Sequence, residues 1–355
     1  MEDYRYLNPE YKKPGIGKTL VGMLAGMVLA LLSPIVMMTE MLSLVPVIML
    51  PSIALVALNR WAGKGPALFS AMLQLMFSAR FLGNTFMWMA FFLNLLPVTL
   101  LMRHENKPFF TQMKVSIAAF GTGVLLAVAA AYFSFGGNMV ERVLLELPKV
   151  LRTLPAESVS MAMGSYASII GKSVNIEDFY HLFDQMINAV IPVYKVNMPG
   201  LIFSGALISA VLCVGLNASM RFKQGIAAEG SYVPMREWAL PGSTTGGLLM
   251  ILAASFIMSS LDVPQGDAVF YAVYDIAMAA FCIHALSSMA RHLHVYPLKH
   301  GLRVGFIAVM AVLCIMGASI YVSIYGIASA VFGSRGMLRE RMENKRNNNH
   351  SNGNG

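Results

Sequence analysis

The sequence predicts an all-α protein, a polytopic transmembrane helical bundle of about nine spans (eight as the alternative count), with one extramembrane amphipathic helical insertion. Three observations predict it. Hydrophobic residues make up 57% of the 355 and charged residues only 12%, at a mean hydropathy of +0.62, far more apolar surface than one water-soluble core uses. The apolar residues fall into nine blocks long enough, or nearly so, for the roughly 20-residue helix that a hydrocarbon layer of about 30 Å demands. Basic residues recur in the links between alternate blocks.

In chain order, a short N-terminal tail (1–18) precedes a first helix that reads as retained, because its apolar run is long and no A-x-A cleavage site follows it. Blocks at 19–38, 42–58, 66–82, 85–101 and 115–135 make up an N-terminal group, 19–135. The second to fourth are short and carry Pro46, Pro51 and Pro97, which marks them for kinks or partial re-entry. The segment 136–197 is the extracytoplasmic insertion. It puts Val140, Val143, Leu144 and Leu147 on one helical stripe and Ile176, Phe179, Phe183, Ile187 and Val190 on another. Asn175 with Asp178 reads as a helix-starting cap. A C-terminal group, 198–332, follows with blocks at 199–219, 244–261, 268–290 and 304–332. The polar tail 333–355 cannot bury enough apolar area to fold.

If nine helices alternate, Lys12, Lys13, Lys18, Arg60, Lys64, Arg103, Lys107, Lys114, Arg221, Lys223, Arg236, Arg291, Lys299 and Arg303 share one side, expected to be cytoplasmic with the N-terminus. The basic tail (Arg335, Arg339, Arg341, Lys345, Arg346) then emerges on the opposite side. Either the charge rule fails there or one span is miscounted. The net charge of +8 is explained by this topology, so no nucleic-acid partner is expected; the bilayer is.

Enzymatic motifs are absent, so the chain is read as a non-enzyme without cofactor or metal. "GIGKT" lacks the first glycine of a phosphate-binding loop, since Lys12 stands in its place. His292, His294 and His300 have neither the spacing nor the carboxylate of a metal site. Cys213, Cys282 and Cys314 lie in apolar blocks, with no C-x-x-C pair.

Asp275 is the exception inside "FYAVYDIAMAAFCIHALSSMA". It falls about 10 Å into its helix, and an acid at that depth needs a partner or a cavity. Tyr271 shares its face, and His284 points the other way. Candidate partners are Gln74, Ser78 and Arg80 in the third block, Asn84 and Asn94 around the fourth and Asn217 in the sixth. Arg80 would satisfy both charges. A structural ion pair and a ligand or proton site both remain open for Asp275. Gly22, Gly26 and Ala30 form a small-residue ridge for a close helix contact, within the bundle or with a separate membrane protein.

The connector "SYVPMREWALPG" reads as an interfacial anchor, with Trp238 suited to the headgroup zone and Pro234 and Pro241 stopping helices. It resembles the Pro-Phe-Arg-Glu-Trp-x-Leu-Pro signature of the YybS-like family of bacterial membrane proteins, a domain of unknown function. Pro234, Arg236, Glu237, Trp238, Leu240 and Pro241 fit, and Met235 replaces the aromatic. The resemblance extends loosely over 18–332. It implies a bacterial cytoplasmic (inner) membrane protein distantly similar to the substrate-binding S components of energy-coupling-factor transporters. In that case Gly22, Gly26 and Ala30 would dock a membrane coupling protein, with glycine where alanine is usual. Binding or helping to transport a small molecule is therefore the expected function, the ligand being unnamed. A non-catalytic scaffold acting through helix contacts, with itself or with another protein, is the alternative.

Overall fold

A computed structural model describes residues 15–42, 49–137, 139–153, scattered positions between 157 and 164, 175–295, 300–314 and 320–332. Among these every regular element is helical: α1 (Ile16–Leu42), α2 (Leu50–Ala62), α3 (Lys64–Leu82), α4 (Asn84–Arg103), α5 (Phe109–Phe135), α6 (Met139–Thr153), α7 (Ile176–Lys223), α8 (Gly242–Ser260), α9 (Gly266–Val295), α10 (His300–Leu313) and α11 (Ile320–Phe332). Six are long and apolar enough to cross a membrane, namely α1, α4, α5, α7, α8 and α9. Pro46, residues 1–14 and the tail 333–355 lie outside the described residues, and the end of the expected N-terminal tail, 16–18, already belongs to α1.

The sequence blocks locate the helices, but six of the described helices, not nine, are long and apolar enough to cross a membrane. α2 has 13 residues, about 20 Å at 1.5 Å per residue, shorter than a full crossing of a hydrocarbon layer of about 30 Å. The last block divides into α10 and α11, and their contacts run in opposite senses. Arg303 of α10 meets His294, whereas Cys314, just past its end, packs against the cluster around Cys282, so α10 is antiparallel to α9. On α11, Ser323 bonds the Met278 carbonyl at 3.1 Å, Gly326 packs on Phe281 and Ala285, and Ser329 bonds Ser288 at 2.6 Å. α11 therefore runs parallel to α9, back toward the end from which α10 came. Among the described residues the block at 304–332 is therefore two helices of opposite sense and not one long helix, because hydropathy has no direction.

Two single-residue turns set the packing of the first helices. Gly63 and Gly83, both at φ 98°, join α2 to α3 and α3 to α4, a conformation open to glycine and strained for other residues. α1 lies against both α2 and α3. A Cβ on Gly22 would overlap Ala62 and come within 3.2 Å of Pro66; one on Gly26 would lie 3.0 Å from the Ser70 Cβ and 3.2 Å from Leu58. α1 is thus antiparallel to α2 and parallel to α3.

α4 is broken by a π-helical turn, Phe91–Leu95, whose closing bond runs from the Leu96 N–H to the Phe91 carbonyl. Pro97 has no N–H to give the Leu93 carbonyl. Ser52 of α2 supplies it instead, at 3.0 Å. Opposite, a Cβ on Gly123 of α5 would run into the Phe92 carbonyl, so glycine lets the two backbones meet.

α7 is one continuous 48-residue helix, about 72 Å long, so the insertion and the sixth block are a single element through Asn197. Asn175 caps it, accepting from the Asp178 N–H at 2.7 Å. Its outer part and α6 form an antiparallel hairpin around Leu144, Ile187, Ile191, Tyr194 and Met198, with Lys195–Glu141 at 2.7 Å and Arg152–Asp184 at 2.5 Å on its flanks. Of the stripe expected on α7, Phe179 and Ile187 are buried and Phe183 and Val190 are half-buried against this cluster. Ile176 is exposed, since nothing on α6 reaches the first turn of the longer helix.

Candidate functional site

Counting along α1 from Gly26 fixes a level in the bundle. Seven residues on is Ser33; seven back from Leu58 on α2 is Pro51; seven on from Ser70 on α3 is Phe77. This level is where α2 starts, inside the protein. The Met49 N–H at that start is received by Ser209 of α7 at 2.8 Å. Ser52 shares its hydroxyl proton between the freed Leu93 carbonyl and Asn94 Oδ1, 2.9 Å away. Asn94 belongs to the π turn, and such turns recur at functional sites.

Around this start lies a layer of buried, uncharged polar groups. Ser33, Ser52, Gln74, Ser78 and Asn94 are each at most 3% exposed. Among the described residues the Ser33 and Ser78 hydroxyls, Gln74 Nε2 and Asn94 Nδ2 have no hydrogen-bond partner. An unpaired buried polar group costs about 1–3 kcal/mol, so four at one level are a concentrated demand for acceptors. Gln74 and Asn94 were candidates on sequence; Ser33 and Ser52 were not, because serine in an apolar helix carries no signal of its own.

Asp275 lies elsewhere. It packs on Gly200 of α7, where a Cβ would collide with the carboxylate and sit 2.9 Å from the Ala272 Cα. Its Oδ2 is buried without a hydrogen-bond partner. Gly200 is nine residues, about 13 Å, outward of Ser209 on the same helix. Among the described residues no ion pair or hydrogen bond joins Asp275 to Arg80, Asn84, Asn94 or Gln74. Arg80, Asn84 and Tyr271 are exposed. Asn217 is ruled out as a partner by its place. It sits 17 residues along α7 from Gly200 and receives the Arg60 Nε at 2.6 Å.

That contact belongs to a polar hub which the sequence did not foretell, at the opposite end of the bundle. Arg60 pairs with Glu105, and the two side chains are only 8% and 21% exposed. Gln224 donates to the Arg60 carbonyl at 2.7 Å. Arg221, 6% exposed, donates to the Glu105 carbonyl, to Asn106 Oδ1 at 2.6 Å and to the Ile226 carbonyl at 3.0 Å. Gln112 bridges the Lys107 and Ser231 carbonyls at 2.8 and 3.3 Å.

The connector is clamped beside the hub. Pro234 precedes a short 3-10 turn, Met235–Glu237, and Pro241 caps the start of α8. One face of α9 serves the intervening backbone. His284 Nδ1 accepts from the Leu240 N–H at 3.3 Å, Ser287 donates to the Met235 carbonyl at 2.8 Å and to that of Trp238, and Arg291 donates to the Arg236 carbonyl at 3.0 Å. Trp238 stacks 5.4 Å from Phe109, and its ring fills the space left by Gly215. Glu237 is exposed. His284, which faces away from Asp275, thus has a role of its own.

The ridge of Gly22, Gly26 and Ala30 is covered by α2 and α3, and Ala30 is fully buried. It is not free to dock a coupling protein. Among the described residues no group of three or more His, Cys, Asp or Glu side chains forms a metal-binding cluster. Comparison with family models, with curated proteins and with solved structures finds no match.

Proposed function

We propose that this is a non-enzymatic, YybS-like protein of a bacterial cytoplasmic membrane that binds a small uncharged molecule and helps to transport it. One observation carries the proposal: four buried polar groups without partners share a level with a helix start and a π turn. Gln74 Nε2 and Asn94 Nδ2 present N–H groups, and the Ser33 and Ser78 hydroxyls can donate beside them. The complementary ligand is rich in acceptors, with carbonyl oxygens or ring nitrogens. Asp275 of α9, packed on Gly200 further out along α7, would meet it first.

Small molecules extracted from the detergent-purified protein and identified by mass spectrometry test this. One compound should copurify with the wild type and be lost from Asn94→Leu and Gln74→Leu. Asp275→Asn should keep the thermal midpoint, since it strands no cation. If no compound copurifies and both leucine variants melt higher than wild type, the layer is merely unsatisfied packing and the proposal fails.

In the membrane, the proposed topology has the N-terminus, the hub and the connector in the cytoplasm and the α6–α7 hairpin outside. α10 and α11 form a re-entrant pair, which makes eight crossings, with α2 a shortened one. Single cysteines at Glu237 and Glu340 should resist an impermeant maleimide in intact cells, whereas one at Glu146 should react. Labelling at 340 that follows 146 would restore the ninth span.

A further inference from the structure

Where α7 and α9 cross, toward the outer end of the bundle, an acid is pressed against helix backbone with no donor to receive. Asp275 takes part in no ion pair among the described residues, and its Oδ2 is buried without a hydrogen-bond partner. The side chain that Gly200 lacks shows what surrounds that oxygen. A Cβ there would collide with Oδ2 and lie 2.9 Å from both the Tyr271 carbonyl oxygen and the Ala272 Cα. Two acceptors therefore line one small gap, closed on its far side by the Gly200 backbone. Pro199 leaves a further acceptor on the same stretch of α7, since it has no N–H to give the Lys195 carbonyl one turn outward.

Among the described residues no side chain around the crossing supplies a proton or a positive charge. On α9, Tyr271 is exposed, Tyr274 points to a different face, Asp267 about two turns outward accepts from Ser259 at 2.5 Å, and Cys282 two turns inward packs with Cys314 and Ser323. On α7, Tyr194 belongs to the hairpin core and Lys195 is paired with Glu141 at 2.7 Å. α8 carries no titratable residue between Gly242 and Ser260. Tyr321 of α11 is 75% exposed.

A proton completes this arrangement without moving any atom of the backbone. The un-ionised acid has an O–H to donate, and a carbonyl oxygen that already accepts in the helix keeps a second lone pair. A bond from Oδ2–H to the Tyr271 oxygen is the back-bond that serine and threonine make one turn along a helix. A bare carboxylate facing a carbonyl oxygen inside an apolar span is the costly alternative.

We propose that Asp275 is a proton-carrying site that couples passage of the ligand to movement of a proton. It holds the proton while α7 and α9 are closed on Gly200. When the crossing opens, the O–H bond breaks, its electron pair stays on Oδ2, and the proton passes to water entering from the outer side. Pro199 and Gly200 suit such an opening, because proline interrupts the helical ladder and glycine puts no side chain in the way. The link to transport rests on the function proposed above; the proton site does not.

Infrared difference spectra of the full chain in vesicles, wild type minus Asp275→Asn, read the carbonyl stretch of an un-ionised carboxyl group. Ordinary carboxylates, with pKa values of about 4, are ionised at about pH 7, so a difference band there belongs to residue 275. It should be present in the wild type and lost from the asparagine variant. Gly200→Ala, which forces the two helices apart at this point, should lose most of the band with Asp275 intact. If that variant does not fold, hydrogen exchange takes its place: alkaline buffer that removes the band should speed exchange of the α7 amides flanking Pro199 severalfold in the wild type and not in Asp275→Asn. Absence of the band at about pH 7 overturns the proton site. A band that persists in Gly200→Ala, or exchange that does not follow ionisation, overturns the coupling. A melting point raised by sodium over choline in the wild type alone assigns the acid to a metal cation and overturns the proton. None of these readings uses a copurifying compound, so failure here and failure of the ligand layer are told apart.

Discussion

Alanine at Glu105 is expected to destabilise the protein by about 3–5 kcal/mol, the usual consequence of removing one partner of a buried ion pair. Arg60 would remain, 8% exposed at its side chain, with a charge that Asn217 Oδ1 and Met102 Sδ cannot neutralise. The substitution isolates the pair well. The other bonds to residue 105, from Arg221 and Gln112, are received by its backbone carbonyl and survive the loss of the carboxylate. Chemical unfolding in mixed micelles should show the loss. The double replacement Arg60→Met, Glu105→Met should recover most of it, because burying two apolar chains removes the desolvation penalty along with the attraction. A Glu105→Ala protein as stable as wild type would show that the loop between α4 and α5 is held by its backbone bonds alone.

Leucine at Gly26 should have an effect of similar size through sterics. The first added carbon already lies 3.0 Å from the Ser70 Cβ and 3.3 Å from the Pro66 carbonyl, and three more must follow. α1 then has to leave α2 and α3 together, breaking the 2.9 Å bond from Ser70 Oγ to the Gly26 carbonyl. Overpacking of this kind costs about 1–3 kcal/mol even where neighbours can shift. Here one neighbour is backbone, so the upper end or more is expected, seen as a lower melting point and aggregation on size exclusion. Alanine at the same place should cost less, as Leu58 is a flexible chain end. Wild-type melting of Gly26→Leu would mean that the ridge has no packing role.

Existence and rough limits of the helices were legible because a bilayer imposes length and composition on whatever crosses it. The block at 115–135 falls inside α5, and that at 268–290 inside α9. What hydropathy omits is sense. The run 304–332 has the length and apolarity of one long span, and only contacts such as Ser329 with Ser288 reveal that its second half returns. The conflict was visible beforehand in the basic tail on the wrong side. In the proposed topology the charge pattern and the helix contacts agree, and the span count is what gives way. Glu105 went unnoticed for a related reason. Orientation is read from lysine and arginine alone, so an acid in a basic loop leaves no mark, although it anchors the hub. Asp275 and Arg80 were matched by depth, and depth says nothing about which helices are neighbours. α7 lies against α9, and a glycine, not a cation, faces the acid.

The return of α11 also bears on how the chain is made. Once α9 is in place, an inserting machine that met a ninth full crossing would have to carry everything after it through the bilayer, including Arg335, Arg339, Arg341, Lys345 and Arg346. Each such charge at the centre of the hydrocarbon costs about 2.5–3.5 kcal/mol on translocon scales. In the proposed topology α10 and α11 enter and leave by one face, and none of these residues has to leave the compartment in which it was synthesised. The pair could then fold against α9 after the ribosome has let go, the charge of the tail opposing any transfer across.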